Sequence, residues 1–259
     1  MHENSEITGN SPKAEKALKE DFPDIYKHLK HYQKDLSERN TDETGIRYEW
    51  YALQRCAASY YKEFDKFKIV WGLTADKWAF AYDDKKHYLP SNGYILTSSS
   101  IDLKYLLALL NSRLLQFYFS FIGIMTAGGA YTLKHETIQE MPIIEGTDKT
   151  RNLFISLVDY ILSIYARDQV HLVNIETIER ILNGCIYELY FCDEMTKADI
   201  NIITLVEKDL ELVKNLNSDK AILKLCEKWQ EPKNEVRNRL LLMTTRCSDT
   251  IGIIEKSIS

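Results

Sequence analysis

Tyr105–Ile124, YLLALLNSRLLQFYFSFIGI, is the most apolar stretch of the chain, and its reading decides the fold. A bilayer-spanning helix needs about 20 apolar residues, so the stretch is long enough to cross a membrane. Its centre, however, holds Asn111, Ser112, Arg113 and Gln116, and an arginine at mid-membrane costs roughly 2.5–3.5 kcal/mol on insertion scales. The reading that avoids this cost is a buried core helix of a globular domain, apolar apart from one polar stripe. It is expected to begin near Asp102, behind Ser98–Ser100, which offer N-caps, and to stop at Gly123 before the Gly-rich TAGGAY. No membrane partner is expected.

On its N-terminal side lie FKIVWG (Phe67–Gly72), WAFAY (Trp78–Tyr82) and GYILT (Gly93–Thr97). They are short, rich in β-branched and aromatic residues, and separated by the turn-forming DDKK and PSNG, which predicts three strands. Ile69, Trp71, Phe80, Tyr94, Leu106, Leu109, Leu110 and Phe117 are expected to form the core between sheet and helix. The fold class read from this pattern is α+β: a small mixed β-sheet packed on a long apolar helix, followed by an all-helical C-terminal region. On the C-terminal side, TLKHETIQEMPI exits at Pro142.

Three parts follow. Residues 1–46 are a polar leader and a connecting helix over about Asp24–Arg39, where Ile25, Leu29, Tyr32 and Leu36 share a face and Pro23 suits the first turn. RNTDETG (Arg39–Gly45) reads as a linker. Residues 47–145 carry the sheet and apolar helix. Residues 146–259 read as helices, with Ile175, Ile178, Leu182, Cys185, Leu189 and Cys192 forming a narrow seam suited to a small bundle.

The 259 residues carry a formal charge of −5, which excludes a uniformly basic nucleic-acid binder. Residues 47–140 alone are positive, with 11 Lys and Arg against 9 Asp and Glu, so a polyanion would meet the chain there. Five cysteines without a CxxC spacing argue against a disulfide framework or zinc ribbon. They fit a reducing, cytoplasmic setting, as does an N-terminal stretch without a secretory h-region.

Catalytic signatures are absent from the sequence. The ten glycines never stand at i and i+2, so there is no GxG loop for a dinucleotide or S-adenosylmethionine. GxxxxGK[ST], GxSxG, HExxH and paired prolines are missing as well. His28 and His31 have helical spacing but lack the third ligand a zinc site wants. Asp83-Asp84-Lys85-Lys86 contains the Asp-x-Lys element of metal-dependent nucleases, yet it stands where a hairpin turn is needed. Neither a catalytic residue nor a metal or cofactor site is assigned to this chain.

The central segments, taken in order, resemble a known family. HYQKDLSERN (His31–Asn40), WYALQR (Trp50–Arg55), KIVW (Lys68–Trp71), FAYDD (Phe80–Asp84), KYLLALLNSRL (Lys104–Leu114), GGAYTLK (Gly128–Lys134) and EMPI (Glu140–Ile143) are similar to the C-terminal target recognition domain of TaqI-like adenine-specific DNA methyltransferases. The same domain occurs in fused type II restriction–modification enzymes. The resemblance covers roughly residues 23–145; IERILNGCIYELY (Ile178–Tyr190) is similar to the helix that often closes these proteins. The family's catalytic half, with its cofactor loop and Pro-Pro motif, has no counterpart here. The helical tail is longer than in the family, and Gly72-Leu73 replaces a more polar turn.

The resemblance implies a division of labour. A separate catalytic domain or subunit, holding S-adenosylmethionine, flips the adenine and methylates it, in some enzymes beside an endonuclease. This chain would select the site on double-stranded DNA, its polar groups meeting phosphates for register and base edges for sequence. The expected contacts are Gly128, Gly129, Tyr131, Thr132, Lys134 and His135 in the glycine loop, Lys77, Trp78 and Asn92 at hairpin ends, Arg55 as a phosphate clamp, and Arg113 facing DNA from the polar stripe of its helix. Each has a plainer alternative: a surface turn for the loop, a solvated hairpin end for Lys77 and Asn92 with Trp78 turned into the core, an ion pair with Glu49 for Arg55, and a side chain reaching from core to solvent for Arg113. Two rival functions stay open, a type I-like specificity subunit acting in trans and a protein-interaction module without DNA.

Overall fold

The strand-rich middle of the chain folds into two small antiparallel sheets. The computed structural model describes residues 12–38, 49–52, 60–126, 128–167 and 172–258, and it divides into two units, Met1–Asp65 and Lys66–Ser259. Arg55, the linker Arg39–Gly45 and the leader up to residue 11 lie outside the described residues.

In the first unit, α1 (Pro12–Asp21), α2 (Pro23–Lys30) and α3 (Gln33–Glu38) follow one another. The helix expected over Asp24–Arg39 is divided at His31–Tyr32, where His31 and Tyr32 donate to carbonyls three residues back, tightening the turn. Ala14, Leu18 and Tyr51 are buried, with Tyr26 and Trp50 packed on them. The anticipated apolar face is not buried: Ile25 and Tyr32 stay exposed. His31 Nδ1 is 2.7 Å from the Lys27 carbonyl, a backbone contact and not a ligand pairing with His28.

In the second unit, β1 (Lys68–Gly72) lies between β3 (Ala81–Asp83) and β4 (Gly93–Leu96), with Ile69 opposite both Tyr82 and Leu96. A second sheet has the order β2 (Thr74–Ala75), β6 (Tyr131–Thr132), β5 (Ile124–Met125). Leu73 links the two: its N–H donates to the Asn92 carbonyl and its own carbonyl accepts from Leu133 N–H. So there are two antiparallel sheets, not one mixed sheet, within the expected α+β class.

The apolar stretch is two helices, α4 (Leu103–Leu110) and α5 (Arg113–Ile122), bent by 65°. Asn111 causes the break. Its side chain accepts from Phe80 N–H and donates to the Phe80 carbonyl, both at 2.9 Å, serving the strand entering β3 like a ladder partner. Ser112 then caps α5 by accepting from Leu115 N–H. α4 is capped by Asp102 and not by the serines; Ser98 instead accepts from Ile101 N–H. No single described helix is long and apolar enough to cross a membrane.

After α6 (His135–Gln139) come α7 (Asp148–Tyr165), α8 (Leu172–Tyr190), α9 (Cys192–Lys197), α10 (Ile203–Glu211), α11 (Ser218–Gln230), α12 (Glu235–Arg246) and α13 (Ile251–Ile258). α4 packs on α7, and the core runs without interruption from Ile69 and Trp71 through Leu109 and Phe154 to Ile254. Of the expected core residues Tyr94 and Phe117 are half-buried and the other six buried. Along the seam, Ile175, Ile178, Leu182 and Cys185 are buried, whereas Cys192 is exposed at the start of α9.

Candidate nucleic-acid interface

The glycine segment is the tip of a β-hairpin. Ile124–Met125 pairs with Tyr131–Thr132, and Tyr131–Thr132 pairs in turn with Thr74–Ala75. At the tip, Thr126 Oγ1 accepts from Ala130 N–H at 3.1 Å and the Thr126 carbonyl from Gly129 N–H at 2.9 Å. Gly129 has φ +83°, a left-handed conformation that disfavours a side chain, although a Cβ there would meet nothing within 4 Å. Gly128 is outside that region, and a Cβ there would meet only Thr126 Oγ1, at 3.9 Å, an ordinary contact. Backbone shape demands glycine at 129 alone.

The hairpin is held from behind. Tyr131 Oη accepts from Gln116 Nε2 at 2.8 Å, and its ring lies 5.5 Å from Trp78 and 6.0 Å from Phe119. Trp78 Nε1 donates to the Leu110 carbonyl at 2.7 Å, at the end of α4. Leu133 is fully buried, and its carbonyl accepts from Trp71 Nε1 at 3.0 Å. Rings and indole donors thus form a wall, while Gly128, Gly129, Lys134 and His135 are exposed in front of it and Thr132 is half-buried.

Backbone hydrogen bonds of Leu73 and the pairing of β2 with β6 connect two further expected residues to the hairpin. Asn92, exposed at the head of β4, is joined through Leu73 to Leu133, the neighbour of Lys134. Lys77, also exposed, follows β2, whose Ala75 lies opposite Tyr131. Trp78 takes the position given as its alternative, in the wall. Arg113 likewise serves an internal contact: its guanidinium pairs with Glu255 on α13 at 3.2 Å, and its N–H donates to Asn183 on α8. Exposed apolar side chains that the sequence does not announce are Tyr118 and Phe121 on α5 and Ile124 and Met125 in the hairpin's own first strand. Tyr118 and Phe121 stand three apart on α5, the one sign that a second face exists.

At the opposite end of the first sheet, Lys68 and Asp83 are directly opposed and form a buried ion pair at 2.6 Å. Asp83 also accepts from the N–H groups of Lys85 and His87, both at 2.9 Å, and lies 2.8 Å from His87 Nδ1. Burial alone would raise its titration point, but these hydrogen bonds, led by that from Lys68, outweigh burial and hold the carboxyl well below the usual carboxylate range. The Asp-x-Lys element is therefore a closed turn, its carboxylate engaged within the protein.

A sheet and bent helix holding exposed loops in fixed positions is the construction of a recognition module. The comparison with known families agrees with that class: residues 18–143, just under half of the chain, match the TaqI-like C-terminal specificity domain. The match runs from within α1 to just past α6 and leaves the helices from α7 onward outside it. No curated protein matches the chain.

Proposed function

We propose that the chain recognises a DNA sequence on behalf of an adenine-specific DNA methyltransferase, either as part of a fused restriction–modification enzyme or with a catalytic subunit. The observation that carries this reading is the braced hairpin inside a TaqI-like specificity domain. Lys134 and Lys77 supply charge for phosphates, and the exposed Asn92 side chain has the paired donor and acceptor that suit an adenine edge. Gly128 and Gly129 let the hairpin backbone approach the duplex closely. S-adenosylmethionine belongs in this reading to the catalytic domain: the sequence has no GxG cradle for it, and the hairpin glycines open to solvent instead of enclosing a pocket.

Selection from a random pool of duplexes by the full chain tests the reading. Recognition predicts enrichment of one short motif, whereas recovery of an unenriched pool contradicts it. A type I-like subunit acting in trans is the second reading; of the Ile175–Cys192 seam, Ile175, Ile178, Leu182 and Cys185 are buried within the chain and Cys192 is exposed.

A further inference from the structure

The Asp83–His87 turn has a feature that a plain hairpin end does not require. Lys86 has φ +60°, the left-handed region that glycine or asparagine adopts readily and lysine does not. The turn is nonetheless held firmly, since the buried Asp83 carboxylate accepts from Lys85 N–H, His87 N–H and Lys68 Nζ. Lys85, Lys86 and His87 are all exposed, as is Lys66 at the same end of β1. Asp84 subtracts one charge, and among the described residues no carboxylate pairs with the side chain of Lys85 or Lys86. A buried cation thus neutralises Asp83 from inside, leaving the two lysines outside uncompensated by it.

The position matters as much as the charge. Asn92 and Leu73 stand at the Gly72–Gly93 end of the first sheet, and the lysine turn at the Lys68–Asp83 end. Four strand steps at about 3.3 Å each separate these ends by roughly 13 Å, close to the major-groove width of about 12 Å. We infer that the Lys85–Lys86 turn is a second phosphate-contacting element, which grips one DNA strand while the glycine hairpin and Asn92 meet the groove and the other strand. Lys68 and Asp83 are positioning residues for that turn. The inference rests on the DNA-recognition reading above and adds to it a phosphate site apart from the glycine hairpin and Asn92.

The test is a salt titration of the full chain against a fluorescein-labelled DNA duplex, for wild type, Lys85→Ala/Lys86→Ala and Lys86→Gly. Each lost phosphate contact lowers the slope of log K against log salt by about 0.9. The double variant should therefore lose about 1.8 of slope, or roughly 12-fold of the affinity change between about 50 and 200 mM salt. Lys86→Gly separates charge from shape: it should lose about 0.9 of slope with an unchanged or higher Tm, because glycine relieves the left-handed backbone. Variants that keep the wild-type slope beside a salt-sensitive wild type would overturn this inference alone. A wild-type chain that binds no duplex would overturn it together with the DNA reading.

Discussion

Gln116 Nε2 donates to Tyr131 Oη across 2.8 Å, joining the second half of the broken apolar helix to the exposed glycine hairpin. The bond explains why the polar stripe of that helix exists. Gln116 fixes the hairpin and Asn111 fixes the strand, so two polar residues of an apolar stretch each anchor a neighbouring element. Removing it by Gln116→Ala should cost about 0.5–1.5 kcal/mol. Faster hydrogen exchange at Gly129 and Ala130, whose amides bond within the tip, is the expected signature. Unchanged exchange there would mean that the aromatic wall alone holds the hairpin.

Glycine is needed at one of the two tip positions. Gly129→Ala should destabilise by about 1–2 kcal/mol because a side chain disfavours its positive φ. Gly128→Ala, outside that region and with room for a methyl group at ordinary contact distance, should change stability by less than about 0.5 kcal/mol. Thermal melts of the two variants compare them directly.

The buried Lys68–Asp83 pair should be costly to break. Lys68→Ala leaves the carboxylate without its cation and is expected to cost about 3–5 kcal/mol in urea unfolding. The pair also gives an acid sensitivity of definite sign. Asp83 titrates lower in the folded chain than unfolded, where a free aspartate is near 3.9. Its contribution is therefore complete above about pH 5 and is lost as the pH falls toward the depressed folded value. Asp83→Asn should flatten the loss of Tm over that acid range relative to wild type.

Phosphate and base contacts should separate in binding. Lys134→Ala is expected to weaken all duplexes alike and to lower the salt slope by about 0.9. Asn92→Ala should blur preference at one position of the site at a cost of about 1–3 kcal/mol for the preferred base. Equal loss on every sequence in the second variant would make Asn92 a backbone contact.

Much of the scaffold was legible because it rests on local patterns. The β-branched Ile69 and Val70 beside Trp71, the turn residues around Asn92, and the leucines of Tyr105–Leu115 announce strand, turn and buried helix without outside help. What escaped reading depends on partners far along the chain. The helix break needs Phe80, 31 residues before Asn111, and Arg113 finds Glu255 at the far end of the sequence. Two-residue strands such as Thr74–Ala75 are too short to carry a period, which hid the second sheet. Trp78 sits beside a turn, and whether its ring faced solvent or core depended on Phe119 and Tyr131. The candidate site residues were named chiefly through the resemblance, since GGAYTLK alone describes many surface turns.

The most direct measurement is the affinity of the unmodified chain for a DNA duplex as salt rises from about 50 to 200 mM. Recognition through lysine–phosphate contacts predicts binding whose logarithm falls linearly with log salt, by about 0.9 per contact. Binding that is undetectable at the low end, or indifferent to salt throughout, would contradict the account and favour a module that binds protein.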